Sequence, residues 1–219
     1  MTAGNEAHHI VPISVGVSPR PSLTDSRRQD ILAAASAAIA ERGLCETRIA
    51  DIADNIGASP ALILYYFPSK AALLTEALVY QDQVFHESVK DELERAVSAY
   101  DKLSVLIEAS CPRPSRSTGS NDGWTLWPAA WEMSRHDPVL AAARARLDES
   151  WRAQIASIVE DGIGAGEFKP LNTHDFAIQL AAMLDGLAIE VMLGDPTVDA
   201  DRMRDLAHHF IDLMLKTPL

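Results

Sequence analysis

The chain's four tryptophans all fall within 28 of its 219 residues. Trp124, Trp127 and Trp131 are spaced i, i+3 and i+7, so on a helix they would share one face. Trp151 follows on a later segment. Such a stripe has two interpretations: a buried core, since tryptophan buries a large apolar area, or the aromatic wall of a ligand pocket.

Carboxylates accompany these tryptophans. Glu132 directly follows Trp131, and Asp185 and Glu190 interrupt the otherwise apolar run "DFAIQLAAMLDGLAIEVML". Burying an ionised carboxylate is costly unless it is paired or binds a ligand. One interpretation is an ion pair with a basic residue of a neighbouring helix, namely Arg144, Arg146 or Arg152. The other is a site for a cation, which carboxylates and aromatic faces both attract.

Residues 57–70, "GASPALILYYFPSK", contain the signals that begin and end a short helix. Ser59 is a suitable N-cap, and Pro60 is tolerated in the first helical turn, where its missing N–H has no partner to lose. Pro68 ends the helix, because the residue before a proline is pushed out of the helical region. A much longer helix is expected to begin at Lys70.

Two further helices precede this segment. Ser26 and Gln29 form a capping-box pattern, which predicts a first helix over about 27–42. Thr47 is the predicted N-cap of a short second helix that ends at Gly57. Two short helices joined by a glycine-containing turn form a helix-turn-helix, whose second helix enters the major groove of DNA.

The helix-turn-helix predicts a set of residues that contact DNA. Those at the start and on the outer face of the second short helix would face base edges or phosphates, and flanking residues would hold the sugar-phosphate backbone. The predicted contacts are Thr47, Arg48, Ser59, Pro60, Ala61, Leu62, Tyr65, Tyr66 and Lys70. The run Leu62–Leu64 offers few hydrogen-bond donors, so base reading would depend on thymine methyl groups and DNA shape.

Residues 47–74, "TRIADIADNIGASPALILYYFPSKAALL", resemble the N-terminal signature of TetR-type transcriptional regulators. The resemblance implies a three-helix DNA-binding domain followed by a helical ligand-binding and dimerisation domain. The sequence departs from the usual family pattern at Ala61, Leu62, Leu64 and Tyr66, so an operator sequence does not carry over from a relative. The stretches 124–140 and 180–196 look like the effector domain of the BetI-like branch, whose ligands include choline-related cations.

The predicted fold is all-α. Residues 1–22 are expected to form a flexible tail, 23–69 the helix-turn-helix domain, and 70–219 the larger helical domain. The breaker-rich residues 111–123 are expected to form a loop. Alanine-rich helices near the C-terminus permit close helix approach, which agrees with a homodimer formed through a four-helix bundle.

The charge is distributed unevenly. The formal net charge is -12, but residues 20–70 carry six basic and six acidic residues, whereas residues 71–219 carry a net charge of -11. The N-terminal region alone can therefore approach a polyanion without strong repulsion. Two cysteines, an N-terminus without an export signal, and no apolar run approaching about 20 residues predict a cytoplasmic protein that does not enter a membrane.

These patterns together predict a ligand-responsive repressor that a small effector releases from a palindromic operator, with a cation as one candidate class of effector. Catalysis is not indicated, because no nucleophile lies beside a base and no phosphate-binding loop or metal-ligand spacing occurs. We therefore expect no enzyme activity, no metal and no cofactor. Two alternatives are an all-helical enzyme that uses the aromatic, acidic cavity and a helical interaction module that does not bind DNA.

Overall fold

The computed structural model describes residues 23–112, 124 and 126–216, and the predicted tail and most of the predicted loop lie outside this range. Within it the chain forms helices and no strands, as predicted. The helices are α1 Leu23–Glu46, α2 Ile49–Asn55, α3 Pro60–Tyr66, α4 Lys70–Arg95, α5 Ala99–Ser110, α6 Leu126–Ser134, α7 Pro138–Gly164, α8 Thr173–Leu193 and α9 Ala200–Leu215.

Helix α1 starts earlier than predicted, and its regular part ends at the predicted position. It starts at Leu23, so Ser26 lies inside the helix and the predicted capping box is wrong. At its other end Gly43 adopts φ 77° and ψ 158°, and the chain is kinked there. A left-handed φ is readily available to glycine, which explains why the regular helix stops where the sequence predicts.

The caps of α2 and α3 show which polar side chains start each helix. Arg48, not Thr47, is the N-cap of α2, and its backbone N–H donates to Asp51 Oδ2 at 2.9 Å. Ser59 caps α3 as predicted, because its Oγ accepts from the Leu62 N–H at 3.2 Å. Gly57, in the turn between the two helices, has φ 60°.

Helix α4 begins at Lys70 as predicted, and α4 and α8 both start at polar N-caps. Ser69 caps α4, and its Oγ accepts from the Ala72 N–H at 3.0 Å. Asn172 caps α8. The break at residues 96–98, which separates α5 from α4, has neither glycine nor proline, and the sequence patterns did not predict it.

The buried side chains form two clusters that meet along α4. The N-terminal cluster joins α1, α2 and α3 to the first two turns of α4, and it also contains Leu126, Ala130 and Leu140 from α6 and α7. The C-terminal cluster joins α5, α7, α8 and α9 to Val89 near the end of α4. Helix α4 therefore belongs to both packing units.

Helix α8 is more apolar than the sequence analysis allowed. Over its 21 residues, a window with mean hydropathy 1.7 meets the length and composition of a membrane span, contrary to our expectation that no such stretch exists. Only 33% of that window is buried within the subunit. Its apolar outer face is also what a helix needs in order to pack against a second subunit.

Candidate nucleic-acid interface and ligand cavity

Helix α3 presents one face to solvent and the opposite face to the N-terminal core. Ile63 is fully buried, as is Phe67, which follows the last residue of the helix. On the outer side Leu64 is 46% exposed and Tyr65 is 80% exposed. Ala61 is also exposed, one turn before Tyr65. The helix thus projects from the subunit, and its outer face includes Ala61 and Tyr65 of the predicted contacts.

The other predicted DNA contacts on this helix take different positions. Ser59 and Pro60 are exposed at its N-terminus. Leu62 and Tyr66 are half-buried along its sides, and the Tyr66 ring packs against the N-terminal core. Tyr65 and Tyr66 form an edge-to-face pair with ring centroids 5.4 Å apart. Ala61, Leu64 and Tyr65 are therefore the most available side chains, and Leu64 was not among the predicted contacts.

The residues that flank the helix-turn-helix are not equivalent. Arg48 is exposed, and Lys70 is half-buried at the first position of α4. Thr47, by contrast, is 1% exposed, and its Oγ1 donates to Ala38 O at 3.1 Å and to Gly43 O at 2.8 Å. Because Thr47 is buried and its hydroxyl ties the turn to α1, this side chain is not available for the predicted contact with DNA.

Arg28 of α1 contacts the C-terminal end of α3, the second helix of the helix-turn-helix and its predicted recognition helix. The guanidinium carbon of Arg28 lies 4.7 Å from the centre of the Phe67 ring, a cation–π geometry. The same guanidinium forms an ion pair with Glu76 of α4. Arg28 therefore links three helices at the point where α3 gives way to α4.

A cavity of about 630 Å³ lies among α4, α5, α7 and α8 in the C-terminal packing unit. Its aromatic walls are Phe85, Trp124, Trp127 and Trp151. Phe85 and Trp151 meet edge to face with ring centroids 5.6 Å apart. Trp124 is held in place by a 2.8 Å hydrogen bond from its indole N–H to Ser110 O.

The charged groups that line this cavity are predominantly acidic. Five carboxylates face one guanidinium, that of Arg152, and the carboxylates are Asp82, Glu92, Glu108, Asp148 and Asp185. Some of them are paired, since Asp148 forms an ion pair with Arg144, and Glu108 lies 2.7 Å from the Nε of Arg204. The remaining excess of negative charge would favour a cation over an anion or a neutral molecule.

Asp185 is the carboxyl most strongly affected by this environment. Burial, reinforced by the negative charge of Asp148, raises its pKa to about 6, although Arg152 and Arg144 oppose the shift. Burial likewise raises the pKa of Asp148. Among the described residues, no basic nitrogen forms an ion pair with Asp185 at 4 Å or less. Its carboxylate is therefore a mostly buried negative charge without a close ionic partner.

Three of the predicted ligand-binding residues lie outside this lining. Trp131 is half-buried and packs against Trp127, with ring centroids 6.2 Å apart. Glu132 and Glu190 are exposed. The interpretation that Glu190 is a costly buried carboxylate is wrong, because α8 turns this residue to solvent. The structure brings together Trp124, Trp127, Trp151 and Asp185.

Helix α4 contributes cavity residues that the sequence analysis missed. Gln81, Asp82 and Phe85 lie within little more than one turn of the helix and line the cavity. The ring of His86 also lies on α4, with its Nε2 3.6 Å from Asp82 Oδ1, and the hydrogen bond to Asp82 raises the pKa of His86. The signal was available, since Asp82 interrupts an apolar stripe just as Asp185 does.

An exposed helix-turn-helix combined with a ligand-sized aromatic cavity defines a DNA-binding regulator with a ligand domain. Residues 31–77 match the family model described as bacterial regulatory proteins of the tetR family. Residues 99–216, more than half of the chain, match the BetI-type transcriptional repressor C-terminal model. The chain belongs to the TetR family of transcriptional regulators and carries a BetI-type C-terminal domain.

Individual relatives agree over almost the whole chain. The HTH-type transcriptional regulator BetI 2 of Chromohalobacter salexigens is 30% identical over 90% of this chain and 92% of its own length. The BetI regulator of Escherichia coli K12 is 27% identical over 91% of this chain and 99% of its own length. The family's regulators are non-enzymatic, bind operator DNA as homodimers, respond to small-molecule effectors and are typically cytoplasmic.

Solved structures show the same fold. A transcriptional regulator from Saccharomonospora viridis, crystallised in complex with choline, superposes with a TM-score of 0.80 at 31% identity, over 88% of this chain and 99% of that one. A TetR-family regulator from Rhodococcus sp. superposes with a TM-score of 0.74 at 25% identity, over 87% of this chain and all of that one.

Proposed function

We propose that this protein is a cytoplasmic repressor that a small organic cation, held in the aromatic cavity, releases from a palindromic operator. The observation that carries the proposal is the cavity wall, which combines four aromatic rings with the mostly buried carboxyl of Asp185. The choline bound by the Saccharomonospora viridis relative supports the same class of ligand. The predominantly acidic lining does not favour an anionic effector.

The two forces that would hold such a cation act on the same group. The ring faces attract the positive charge through their quadrupoles, with a contribution of about 2 kcal/mol when the cation is desolvated. Asp185 adds a direct charge interaction in surroundings of reduced dielectric. A neutral ligand of the same shape would keep the apolar contacts and lose both of these terms.

DNA binding is proposed to use the outer face of α3 and its flanks. Ala61, Leu64 and Tyr65 would enter the major groove, while Ser59, Pro60, Leu62 and Tyr66 would lie along its edges. Arg48 and Lys70 would contact phosphates on either side. In a homodimer the two α3 helices would meet half-sites about one helical turn apart, roughly 34–36 Å.

Helix α4 is the proposed route between the two sites. Its first two turns pack in the N-terminal core, and its middle turns line the cavity through Gln81, Asp82 and Phe85. A cation that contacts those turns would favour one position of α4 over another. Because α3 is joined directly to α4 and braced by Arg28, a shift of α4 changes the separation of the two recognition helices.

Isothermal titration calorimetry with choline, and with its neutral isostere 3,3-dimethyl-1-butanol as the control, tests the ligand class. We expect choline to bind more tightly than the neutral alcohol by at least tenfold, since the two differ chiefly in charge. Equal affinities, or binding of the alcohol alone, would exclude a charge-selective site.

Two variants test whether choline binds in the cavity. Trp151→Ala removes one aromatic wall, and it should weaken choline binding by about five- to thirtyfold if the lost cation–π contact contributes about 1–2 kcal/mol. Trp131→Ala, outside the lining, is the matched control and should keep most of the affinity. A fluorescence-anisotropy titration of labelled promoter DNA then tests release, and operator affinity that does not change at saturating choline would contradict the proposed mechanism.

A further inference from the structure

The outward face of α3 lacks the side chains that usually read bases. The helix sequence is "PALILYY", which contains no arginine, lysine, asparagine or glutamine. On its exposed face the hydroxyl of Tyr65 is the sole side-chain hydrogen-bonding group. Guanine and adenine are commonly recognised by bidentate hydrogen bonds from Arg, Lys, Asn or Gln. Such recognition is therefore unavailable to this helix.

What the face does offer is a small apolar surface. Leu64 is 46% exposed and lies three residues after Ala61, which is also exposed, so the two occupy adjacent turns of one face. The helix cannot rotate to bury Leu64, because Ile63 and Phe67 are both 0% exposed and anchor the opposite side. Family membership makes duplex DNA the partner of this helix, so the apolar surface belongs to an established type of interface.

In the major groove only one base carries an apolar group. The C5 methyl group of thymine projects there, and alanine and other apolar side chains contact it. We propose that Leu64, with Ala61 beside it, is a specificity-determining residue that recognises thymine methyl groups in each operator half-site. The inference rests on the proposed mode of DNA binding, in which α3 lies in the major groove.

Recognition through a methyl group alone tolerates more than one base. A surface that reads a methyl group without a hydrogen bond does not distinguish the bases that carry it. 5-Methylcytosine places a methyl group at the same position in the groove as thymine. The protein should therefore accept 5-methylcytosine opposite guanine where it rejects unmethylated cytosine.

The test uses the full-length protein and an operator duplex obtained by selection from random double-stranded DNA. Each thymine of the selected half-site is replaced in turn by deoxyuridine, which removes the methyl group and keeps every hydrogen-bonding group. At the thymines that contact Leu64, we expect affinity to fall about fourfold per methyl group, the equivalent of roughly 0.8 kcal/mol for one buried carbon. Replacing the same T·A pair by 5-methylcytosine·G should restore more affinity than cytosine·G does.

The Leu64→Ala variant tests whether Leu64 is the side chain that contacts these methyl groups. Because Leu64 is largely exposed, the variant should fold normally, which circular dichroism checks. It should bind the thymine operator several-fold more weakly and should lose its sensitivity to deoxyuridine at those positions. Undiminished sensitivity in Leu64→Ala, or no sensitivity in the unmodified protein at any thymine, would overturn the inference. Failure to select any DNA would instead count against the proposed function, so the two failures are distinguishable.

Discussion

At the scale of single residues, Asp185 stands out because its surroundings disfavour the ionised form of its carboxyl. Its carboxyl is mostly buried and lies close to Asp148, and these surroundings raise its pKa to about 6. The folded protein without ligand therefore keeps a carboxylate that would be better solvated in the unfolded chain. Such an unfavourable group is expected where binding, rather than stability, determines the choice of residue.

This position predicts a pH-dependent effect of Asp185→Asn on stability. The pKa of Asp185 in the folded state is above the ordinary value of 3.8, so the wild-type protein loses stability as the pH rises from about 4 through 6. Above pH 7 the variant should be more stable, by an amount on the order of 2–3 kcal/mol, and near pH 4 the difference should vanish. Urea denaturation at several pH values measures it.

The matched control for this prediction is Glu190→Gln, which removes a carboxylate from the same helix. Glu190 is exposed, so its removal should leave the unfolding free energy within about 0.5 kcal/mol of the original at every pH. If both variants gave the same pH profile, the effect would come from net charge and not from the buried site.

At the scale of helices, α7 contains two glycines with opposite roles. A Cβ at Gly162 would lie 2.3 Å from the Phe168 ring and 2.8 Å from Ala99 Cβ. A Cβ at Gly164 would meet nothing within 4 Å. Phe168 is 6% exposed and belongs to the C-terminal core, so its ring has little room to move. Gly162 thus lets the loop after α7 fold back closely on the helix.

Alanine substitutions at Gly162 and Gly164 are expected to change the stability of the protein differently. Gly162→Ala should destabilise the protein by about 1–3 kcal/mol, because it overpacks a buried site. Gly164→Ala should be neutral or stabilising by up to about 1 kcal/mol, since alanine has the higher helix propensity. Thermal unfolding followed by circular dichroism compares them. A neutral Gly162→Ala would show that the close approach to Phe168 is not required.

The helices also show what a sequence can and cannot predict. The caps at Ser59 and Ser69 were predictable because polar N-caps and proline act within one or two turns. The limits at Ser26 and Thr47 were mispredicted, because a good capping residue can also sit inside a helix or be used by the tertiary structure. In α8 nearly every side chain is apolar, so no period indicated that Asp185 faces the cavity and Glu190 faces solvent.

The cavity was predictable only in part for a related reason. Tryptophan spacing identified a face, and three of the four tryptophans line the cavity. Which turns of α4 oppose that face depends on how α4 packs against α5, α6 and α7, and local sequence does not encode that packing. Phe85 and Asp148 therefore became visible as lining residues only in the assembled fold.

At the scale of the whole molecule, α4 connects the two functions. Its 26 residues extend for about 39 Å, from Lys70 beside the recognition helix to Arg95 beyond the cavity. The subunit is acidic overall, with a net charge of -12, while its N-terminal region is close to neutral. Binding to DNA must therefore depend on a few well-placed cations rather than on the general field of the protein.

This arrangement predicts a modest dependence on salt that Arg48 controls. Each neutralised phosphate contributes about -0.9 to the slope of log affinity against log salt concentration. Arg48 occurs once per subunit, so Arg48→Ala should lower the magnitude of the slope by about 2 for a dimer. Anisotropy titrations over a range of salt concentrations measure it. Arg95→Ala, at the far end of α4, should leave the slope unchanged, and an unchanged slope for Arg48→Ala would contradict the phosphate contact.

The placement of the tryptophans also has a practical consequence for spectroscopy. All four occur from position 124 onward, and three line the cavity, whereas the aromatic residues of α3 are tyrosines. Selectively excited indole emission therefore arises solely from the C-terminal half of each subunit. Quenching or a wavelength shift on adding a compound would report occupancy there without a label, even while the protein remains bound to its promoter.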